Sequence, residues 1–533
     1  MRRVVILGGG FAGAFTAKNL LSSLGSECEI ELINPANYFV FQPLLPEVAA
    51  GIINSSDAVT PLRSMLPGVK FRMAEVVSVD FDAKELRVLQ GSRRIPISLS
   101  YDHLVFAVGQ RGNLDMLPGF ADHSITMKNL SDAHRLRNHI IECLEHADIT
   151  QDEALKRMLL TFVVAGGGFS GVETVGEMAE MIRRTVRHYP NIDHDEVRLL
   201  VVQRESRILM ELPEELATFA QKKLSKRGVE IRTGAGLASA NKSGVVLSDG
   251  ERIKAATLVA TIGNGPVELV QQLPIELLRG KIPTDQCLRV QAFDDVWAVG
   301  DCAAIPMDAS GEQFAPPTAQ FATAEAEQLA LNIAAAEKQR PVTAFQFEAK
   351  GSLASIGHYS AVAKLFGIKI SGLLAWFLWR GFYIMRLPGF STKARVTLNW
   401  MYDYLLPRNI VQLKGYSALA TVHATYLKGD VLFLAGQIPD GLYTIESGSL
   451  ESRVVDSETG QEHVRVLGAG EHWGERSLSR NWQTSGSLVA LEDTRVLILK
   501  KEDFSRLRAS LPVFDAYLEQ LPDDRYAPSL RKQ

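Results

Sequence analysis

The sequence predicts an α/β protein with two dinucleotide-binding domains, a membrane-associating helical segment and a C-terminal all-β roll with a helix. Three observations carry this prediction. Residues 4–13 read VVILGGGFAG, an apolar run flowing into Gly8, Gly10 and Gly13; residues 161–173 read TFVVAGGGFSGVE and repeat the pattern with Gly166, Gly168 and Gly171. Beyond residue 414 the chain turns to short alternating apolar stretches broken by glycines. In G-x-G-x-x-G the first glycine permits a tight turn, the second lets a pyrophosphate approach the backbone, and the third lets the helix pack on the strand. The helix N-terminus then faces the phosphates. Two Rossmann-like domains binding two dinucleotides are therefore expected.

A chain of 533 residues suggests three or four domains. Apolar content of 46%, charged content of 22% and a net charge of −4 describe an ordinary globular chain, with no feature calling for nucleic acid. Cys28, Cys143, Cys287 and Cys302 are scattered without C-x-x-C spacing. That argues against structural zinc, a disulfide framework or a redox dithiol, and fits a reducing cytoplasmic setting; no metal site is expected. The opening MRRVVILGGGFAGAF imitates a secretory signal, but the glycine fingerprint accounts for it better.

In chain order, a second strand over 29–33 ends at Asn34, where an acid would normally hold a ribose; an amide can still bond a hydroxyl. The apolar, proline-rich stretch 37–51 is expected to line a pocket. Strand-like alternation over 71–79 and 85–89 leads to YDHLVFAVG at 101–109, a buried strand ending at Gly109 that should return to the first sheet. Residues 131–157 read as helical. In the second unit, the strand over 198–202 ends at Gln203 and Arg204, with Glu205 one place late. Arginine there can neutralise a 2′-phosphate or simply be an exposed loop residue, so NADH and NADPH both stay open. A hairpin over 244–252 completes the insertion, with its exit near 263–266. Then VWAVGD at 296–301 ends a strand in Gly300-Asp301. In a flavoprotein this geometry brings a backbone amide and the Asp301 carboxylate to the ribityl and phosphate portion of FAD. The order implies an FAD domain in two parts, 1–150 and 281–345, split by an NAD(P)H domain over 151–280.

The two fingerprints, the insertion, VWAVGD and PPTAQ at 316–320 together resemble the type II NADH dehydrogenases, single-subunit NADH:quinone oxidoreductases, over residues 1–410. The resemblance implies that Gly8, Gly10, Gly13 and Asp301 bind FAD and that Gly166, Gly168 and Gly171 bind the nicotinamide nucleotide. It implies that Glu173 sits beside flavin and nicotinamide, although a first-turn acid also complements the helix dipole. Lys350 matches a lysine near the quinone pocket, with a strand-capping lysine as the plain alternative. The family's A-Q-x-A-x-Q motif is met by Ala319, Gln320 and Ala322, while Ala324 replaces the second glutamine. Gln320 can donate to a quinone carbonyl and Ala324 cannot.

Between residues 361 and 415 eight basic side chains stand against one acid, Asp403, a net +7, interleaved with Trp376, Phe377, Trp379, Phe382 and Tyr383. The longest largely apolar stretch, 370–379, is half of what a spanning helix needs. The domain segment 346–415 is expected to lie on an anionic membrane surface with tryptophans at headgroup depth, or to pack on the enzyme or on a second copy in a homodimer.

Residues 418–521 resemble a cyclic nucleotide-binding domain of the catabolite activator type, through KGD at 428–430, DGLYTIESG at 440–448 and HWGERSL at 472–478, ahead of a tail at 522–533. Glu475 matches the glutamate on the ribose 2′-hydroxyl. Gln483 stands where the family has its phosphate-binding arginine, and Arg476 or Arg480 could substitute. The expectation is a fold kept with its ligand lost or changed, serving regulation or protein interaction; the alternative is a working sensor with a cyclic nucleotide as its ligand.

The sequence thus reads as a peripheral enzyme of the cytoplasmic membrane face. NAD(P)H reduces FAD, FAD passes two electrons to a quinone, and Glu173, Gln320 and Lys350 position carriers or move protons. Alternatives are an oxidoreductase with a soluble acceptor, and a flavin-containing regulatory or scaffold protein.

Overall fold

The computed structural model describes residues 2–91, 93–308, 310–349, 351–406, 408, 410–412, 421–437, 439–455, 462–474, 478, 484, 486–501 and 503–504. The expectations at Lys350, Glu475, Gln483, Arg476 and Arg480, for a helix beyond residue 504 and for the tail lie outside the described residues.

The first domain opens with β1 (Arg2–Leu7), α1 (Phe11–Leu24) and β2 (Cys28–Asn34), followed by the short α2 (Leu45–Ala49). Strands β3 (Lys70–Asp80), β4 (Glu85–Gln90), β5 (Ile95–Ser100) and β6 (His103–Phe106) follow. Val4 to Leu7 and His103 to Phe106 are buried throughout, as central parallel strands covered on both faces must be. β4 instead alternates, with Leu86 and Val88 inside and Glu85 and Arg87 outside, because it belongs to an antiparallel meander with one wet face.

The chain leaves this domain on β7 (Gln110–Gly112). The inserted domain contains α3 (Phe120–His123), β8 (Ile125–Thr126), α4 (Leu130–Ile149), β9 (Thr161–Ala165), α5 (Phe169–Thr185), β10 (Arg198–Gln203), β11 (Val229–Thr233), β12 (Leu237–Asn241) and β13 (Thr257–Ala260). Its parallel sheet runs β8-β13-β9-β10-β11, so it takes in a strand upstream of residue 151. The helical stretch read over 131–157 is two helices: Thr150 is extended, and the Asp152 side chain caps a second helix by accepting from the Ala154 and Leu155 amides. Return is by β14 (Asn264–Pro266), which pairs antiparallel with β7, so both crossings lie side by side. β15 (Val296–Ala298) then joins β6, giving the first sheet the order β15-β6-β1-β2-β3-β4-β5. α6 (Ala319–Glu337) packs on α1.

A three-stranded antiparallel sheet of β16 (Gly351–Ser355), β17 (Ala361–Leu365) and β18 (Ile368–Gly372) leads to α7 (Leu373–Arg386) and α8 (Phe390–Leu405). Among the described residues no helix is long and apolar enough to cross a membrane. One apolar core runs from β1 through α4 and α5 to Trp376, Trp379 and Trp400; a second, with Phe120, Leu200 and Leu237, lies on the other face of the inserted sheet.

The C-terminal roll stacks two four-stranded antiparallel sheets around Tyr443, Phe433 and Trp473. Its first strand, β19 (Thr421–Tyr426), rests on the inserted domain. The Thr425 amide donates to His123 Nε2 at 2.9 Å, the Lys242 amide donates to the Thr425 carbonyl at 3.0 Å, and Arg495 pairs with Asp122 at 3.4 Å.

Candidate active site

The two glycine turns are built alike. Gly8 and Gly166 both have φ of +104°, where a side chain is strained, and a Cβ on Gly8 would sit 2.3 Å from the Ala107 carbonyl. A Cβ on Gly13 would lie 1.9 Å from the Gly8 carbonyl, and one on Gly171 the same distance from that of Gly166, so these glycines set the strand-to-helix approach. Gly10 and Gly168 cap α1 and α5 with no side-chain bond to the first-turn amides; a Cβ at Gly10 would meet nothing within 4 Å. Those amides and that space form a cradle for a pyrophosphate.

Asn34 and Gln203, read as ribose contacts, brace these turns. Asn34 Oδ1 accepts the Gly9 amide at 2.8 Å and its Nδ2 donates to the Ala36 carbonyl; Gln203 Oε1 accepts the Gly167 amide at 2.6 Å and its Nε2 donates to Glu205. Arg204 is exposed and pairs with Glu205 at 3.1 Å. The position just past β10 therefore presents a carboxylate and a guanidinium together.

Gly300, at φ +74°, brings the Asp301 turn against α1, where an added Cβ would lie 2.9 Å from that of Ala12. Its amide donates to Glu325 Oε2 at 2.6 Å, a residue one place past Ala324 that sequence reasoning missed. Burial pushes Glu325 up to about 7, and Asp301 is also raised by burial, opposed by Lys128 and Lys281. Gly109 has φ +66° and open space where a side chain would point. Cradle, Asp301 and Lys128 meet around α1, and this donor set fits a dinucleotide such as FAD.

Glu173 is the fifth residue of α5, one turn in from its N-terminus, and is buried. Its Oε1 accepts from the Ser355 amide at 3.0 Å and from Trp379 Nε1 at 3.2 Å. Burial pushes it up to about 8 against both bonds, with Glu177 and Glu47 adding to the rise. One turn along α5, Glu177 Oε1 accepts from the Ser355 hydroxyl at 3.4 Å, and its Oε2 is buried without a partner. Glu47, from the stretch expected to line a pocket, accepts from Trp400 Nε1 at 2.8 Å and lies 3.7 Å from Arg380. Burial raises Glu47 and Glu177 as well. The Arg380 guanidinium is stacked between the rings of Trp376 and Trp400, at 4.0 and 4.5 Å. Sequence reading singled out Glu173 but not its neighbours Glu177, one turn along the same helix, or Glu47 and Arg380, which come from elements far away in the chain.

Gln320 lies in the first turn of α6 and donates to the Gly351 carbonyl at 2.9 Å. Gly351 and Ser355 are the two ends of β16, so that strand joins Gln320 at one end to Glu173 at the other, roughly 13 Å apart along its backbone.

The two tryptophans expected at headgroup depth are buried instead, Trp376 at 2% and Trp379 at 1% exposure. Helical periodicity explains this: Ala375, Trp376, Trp379 and Arg380 share the inward face of α7, while Leu373, Leu374, Phe377 and Met385 face out. Among the described cations of this segment, Arg380 and Arg408 are also internal; Arg408 pairs with buried Asp403 at 2.8 Å. The outward apolar surface includes Phe366 and Phe390, more than four-fifths exposed.

Residues 2–326 match the pyridine nucleotide-disulphide oxidoreductase family and residues 349–409 the NDH2 C-terminal domain. The type II NADH:quinone oxidoreductase Ndh of Mycobacterium tuberculosis is 31% identical over 423 residues, spanning 76% of this chain and 89% of that protein. The chain belongs to the type II NADH:quinone oxidoreductases. The family member of Staphylococcus aureus is 31% identical over 383 residues, covering 71% of this chain and 93% of its own length. The fold agrees with NDH2 of Plasmodium falciparum, solved in complex with NADH, at a TM-score of 0.72 and 19% identity over 77% of this chain and 99% of that one. Unlike a bare type II oxidoreductase, this chain carries a cyclic nucleotide-binding domain, matched over residues 423–510.

Proposed function

We infer that the chain is an FAD-dependent NAD(P)H dehydrogenase that passes two electrons from NAD(P)H to a membrane quinone. The observation that carries this reading is Glu173: a buried carboxyl, held on one oxygen by Ser355 and Trp379, on the helix that opens with the nicotinamide glycines. Bound flavin supplies the two-electron redox chemistry. The chain orients it with the Gly8–Gly13 cradle, Gly109 and Asp301, and holds NAD(P)H on Gly166–Gly171 with the Gln203–Glu205 edge. Glu173 carries a proton near neutral pH, and Gln320 keeps a second amide hydrogen for a quinone carbonyl. Lys350 is assigned to the quinone side on the family resemblance alone.

The outward faces of α7 and α8 would rest on the cytoplasmic face of the cell membrane, with Lys364, Arg386 and Arg395 on anionic headgroups. The purified protein should be yellow, bleach with NADH or NADPH, and recover colour with a short-chain quinone. Recovery with ferricyanide alone would assign a soluble acceptor. Flotation with anionic liposomes tests the membrane face; a salt-insensitive dimer that never floats would give that face to a second copy.

A further inference from the structure

Reduction of a quinone to a quinol takes two electrons and two protons, and the hydride of NAD(P)H brings the electrons with only one of the protons. The second must come from solvent, and a protein group that holds a proton can deliver it. Glu173 alone is a single proton holder, and it does not stand alone.

Two carboxyls are held in the same manner on adjacent helices. Glu173 takes the indole N–H of Trp379 from α7, and Glu47 takes the indole N–H of Trp400 from α8. The two indole rings are 6.4 Å apart, so their carboxyls are neighbours across one aromatic pair. Tyr383, with its ring 4.5 Å from that of Trp379, is influenced by both carboxyls and keeps its phenol proton. One cation is supplied, Arg380, 3.7 Å from Glu47 and fixed by stacking. One buried cation can offset one negative charge, so the pair is built to be singly ionised.

We propose that Glu47 is a positioning residue for proton delivery: facing Glu173 across the Trp379–Trp400 pair, it forms with Glu173 a two-carboxyl proton store for quinone reduction. Ionised Glu47 against Arg380 keeps the proton on Glu173 until a quinone oxygen takes it; Glu47 then takes up a proton from solvent, so that Glu173 bears the single charge until that proton is passed on to it. The overall step balances as NAD(P)H + H⁺ + quinone → NAD(P)⁺ + quinol. The proposal rests on the reading of Glu173 as the proton-holding group of a quinone reductase.

The other groups facing the pair are accounted for. From α5 comes Glu177, which is opposed by Arg408, Arg380 and Arg227. From α7 come Arg380 and Tyr383, and from α8 Trp400 and Asp403, the latter paired with Arg408 and Arg184. α4, which also packs on α2, carries Arg137 and His134, bonded to the Val411 carbonyl and the Ser55 hydroxyl. Burial raises both carboxyls, and Glu47 adds to the rise of Glu173, which agrees with their facing one another.

The test uses the FAD-loaded full-length enzyme and two readouts. One is the pH dependence of quinone-driven flavin reoxidation; the other is the infrared carbonyl stretch of protonated carboxyls, followed against pH without turnover. Glu47→Gln keeps an oxygen for Trp400 and removes the charge, so the basic midpoint should move down by about one unit in both readouts, with reoxidation slowed about tenfold at the native midpoint plus one. An unmoved midpoint would make Glu47 a packing residue and overturn the proposal. If Glu47→Gln fails to retain flavin, Trp400→Phe decides: a smaller downward shift supports the pair, and no shift overturns it. Glu173→Gln separates the two ideas. Loss of the basic limb with an unmoved Glu47→Gln midpoint sinks the pair alone, whereas a basic limb that survives Glu173→Gln sinks the assignment of Glu173 and the pair with it.

Discussion

Gln203 Oε1 accepts the backbone amide of Gly167 at 2.6 Å, holding the nicotinamide-side glycine turn from the end of the neighbouring strand. An amide left without that acceptor in a buried turn costs about 1–3 kcal/mol. Gln203→Ala should therefore raise KM for NADH by roughly tenfold while flavin stays bound, because the equivalent brace on the other turn is Asn34. Titration of bleaching rate against NADH checks this. In the same series, Arg204→Glu should shift preference from NADPH towards NADH; an unchanged ratio would show that the guanidinium stays with Glu205.

Glu173 is held at about 8, well above an unfolded glutamate, so the native state keeps a proton that the unfolded chain has lost. Stability contributed through this group falls as pH rises from about 4.5 towards 8. Glu173→Gln removes the dependence: its melting temperature relative to the native enzyme should rise between pH 5.5 and 8. A constant difference across that range would mean Glu173 is ionised when folded.

Arg380 is stacked between two indoles and is the cation beside Glu47. Removing one partner of a buried pair costs about 3–5 kcal/mol. Arg380→Met should destabilise the α7–α8 layer on that scale by chemical denaturation, and Arg380→Lys should recover only part, since a lysine cannot stack as a plane.

The proposed membrane face consists of the exposed Leu373, Leu374, Phe377 and Phe390, while Trp376 and Trp379 are buried. Phe377→Asp with Phe390→Asp should release the protein from anionic liposomes and leave flavin content and melting temperature near native, whereas Trp376→Ser should lower the melting temperature. Co-flotation of the double aspartate variant would disprove this assignment.

His123 accepts the Thr425 amide as a neutral ring and is pushed down to about 4 by burial, Lys242 and Arg495. A base whose folded value is lowered gives stability that is present above its unfolded value, about 6.5, and lost as pH falls towards 4. Hydrogen exchange at Thr425 should therefore speed up, relative to the intrinsic rate, as pH is lowered through that window. His123→Gln keeps an acceptor and should remove the pH dependence.

Both glycine fingerprints, the insertion and the β15 return were legible because each is a local rule: a tight turn, a close approach, an apolar run buried on two faces. The turns at Gly8 to Gly13, Gly166 to Gly171 and Gly300-Asp301 follow the same local rules. That the Asn34 and Gln203 amides brace the glycine turns was not legible, since composition cannot say whether an amide bonds a ligand, the loop it follows or both. The tryptophans of α7 were misplaced because a charged, aromatic segment was read as a whole, when its 3.6-residue period already separated Trp376 and Trp379 from Leu373, Leu374 and Phe377. Glu47 carried no signal at all: it is one acid in an apolar stretch, and its role comes from Trp400, more than three hundred residues away.

The seam between His123 and Thr425 closes a mechanical loop. The inserted domain is joined to the first by the β7–β14 ribbon, the roll is joined to the inserted domain by the seam, and the chain between Leu405 and Thr421 joins the roll to α8, which is packed on the first domain through Trp400. A swing of the nicotinamide domain on its ribbon must either part His123 from Thr425 or carry the roll along with it.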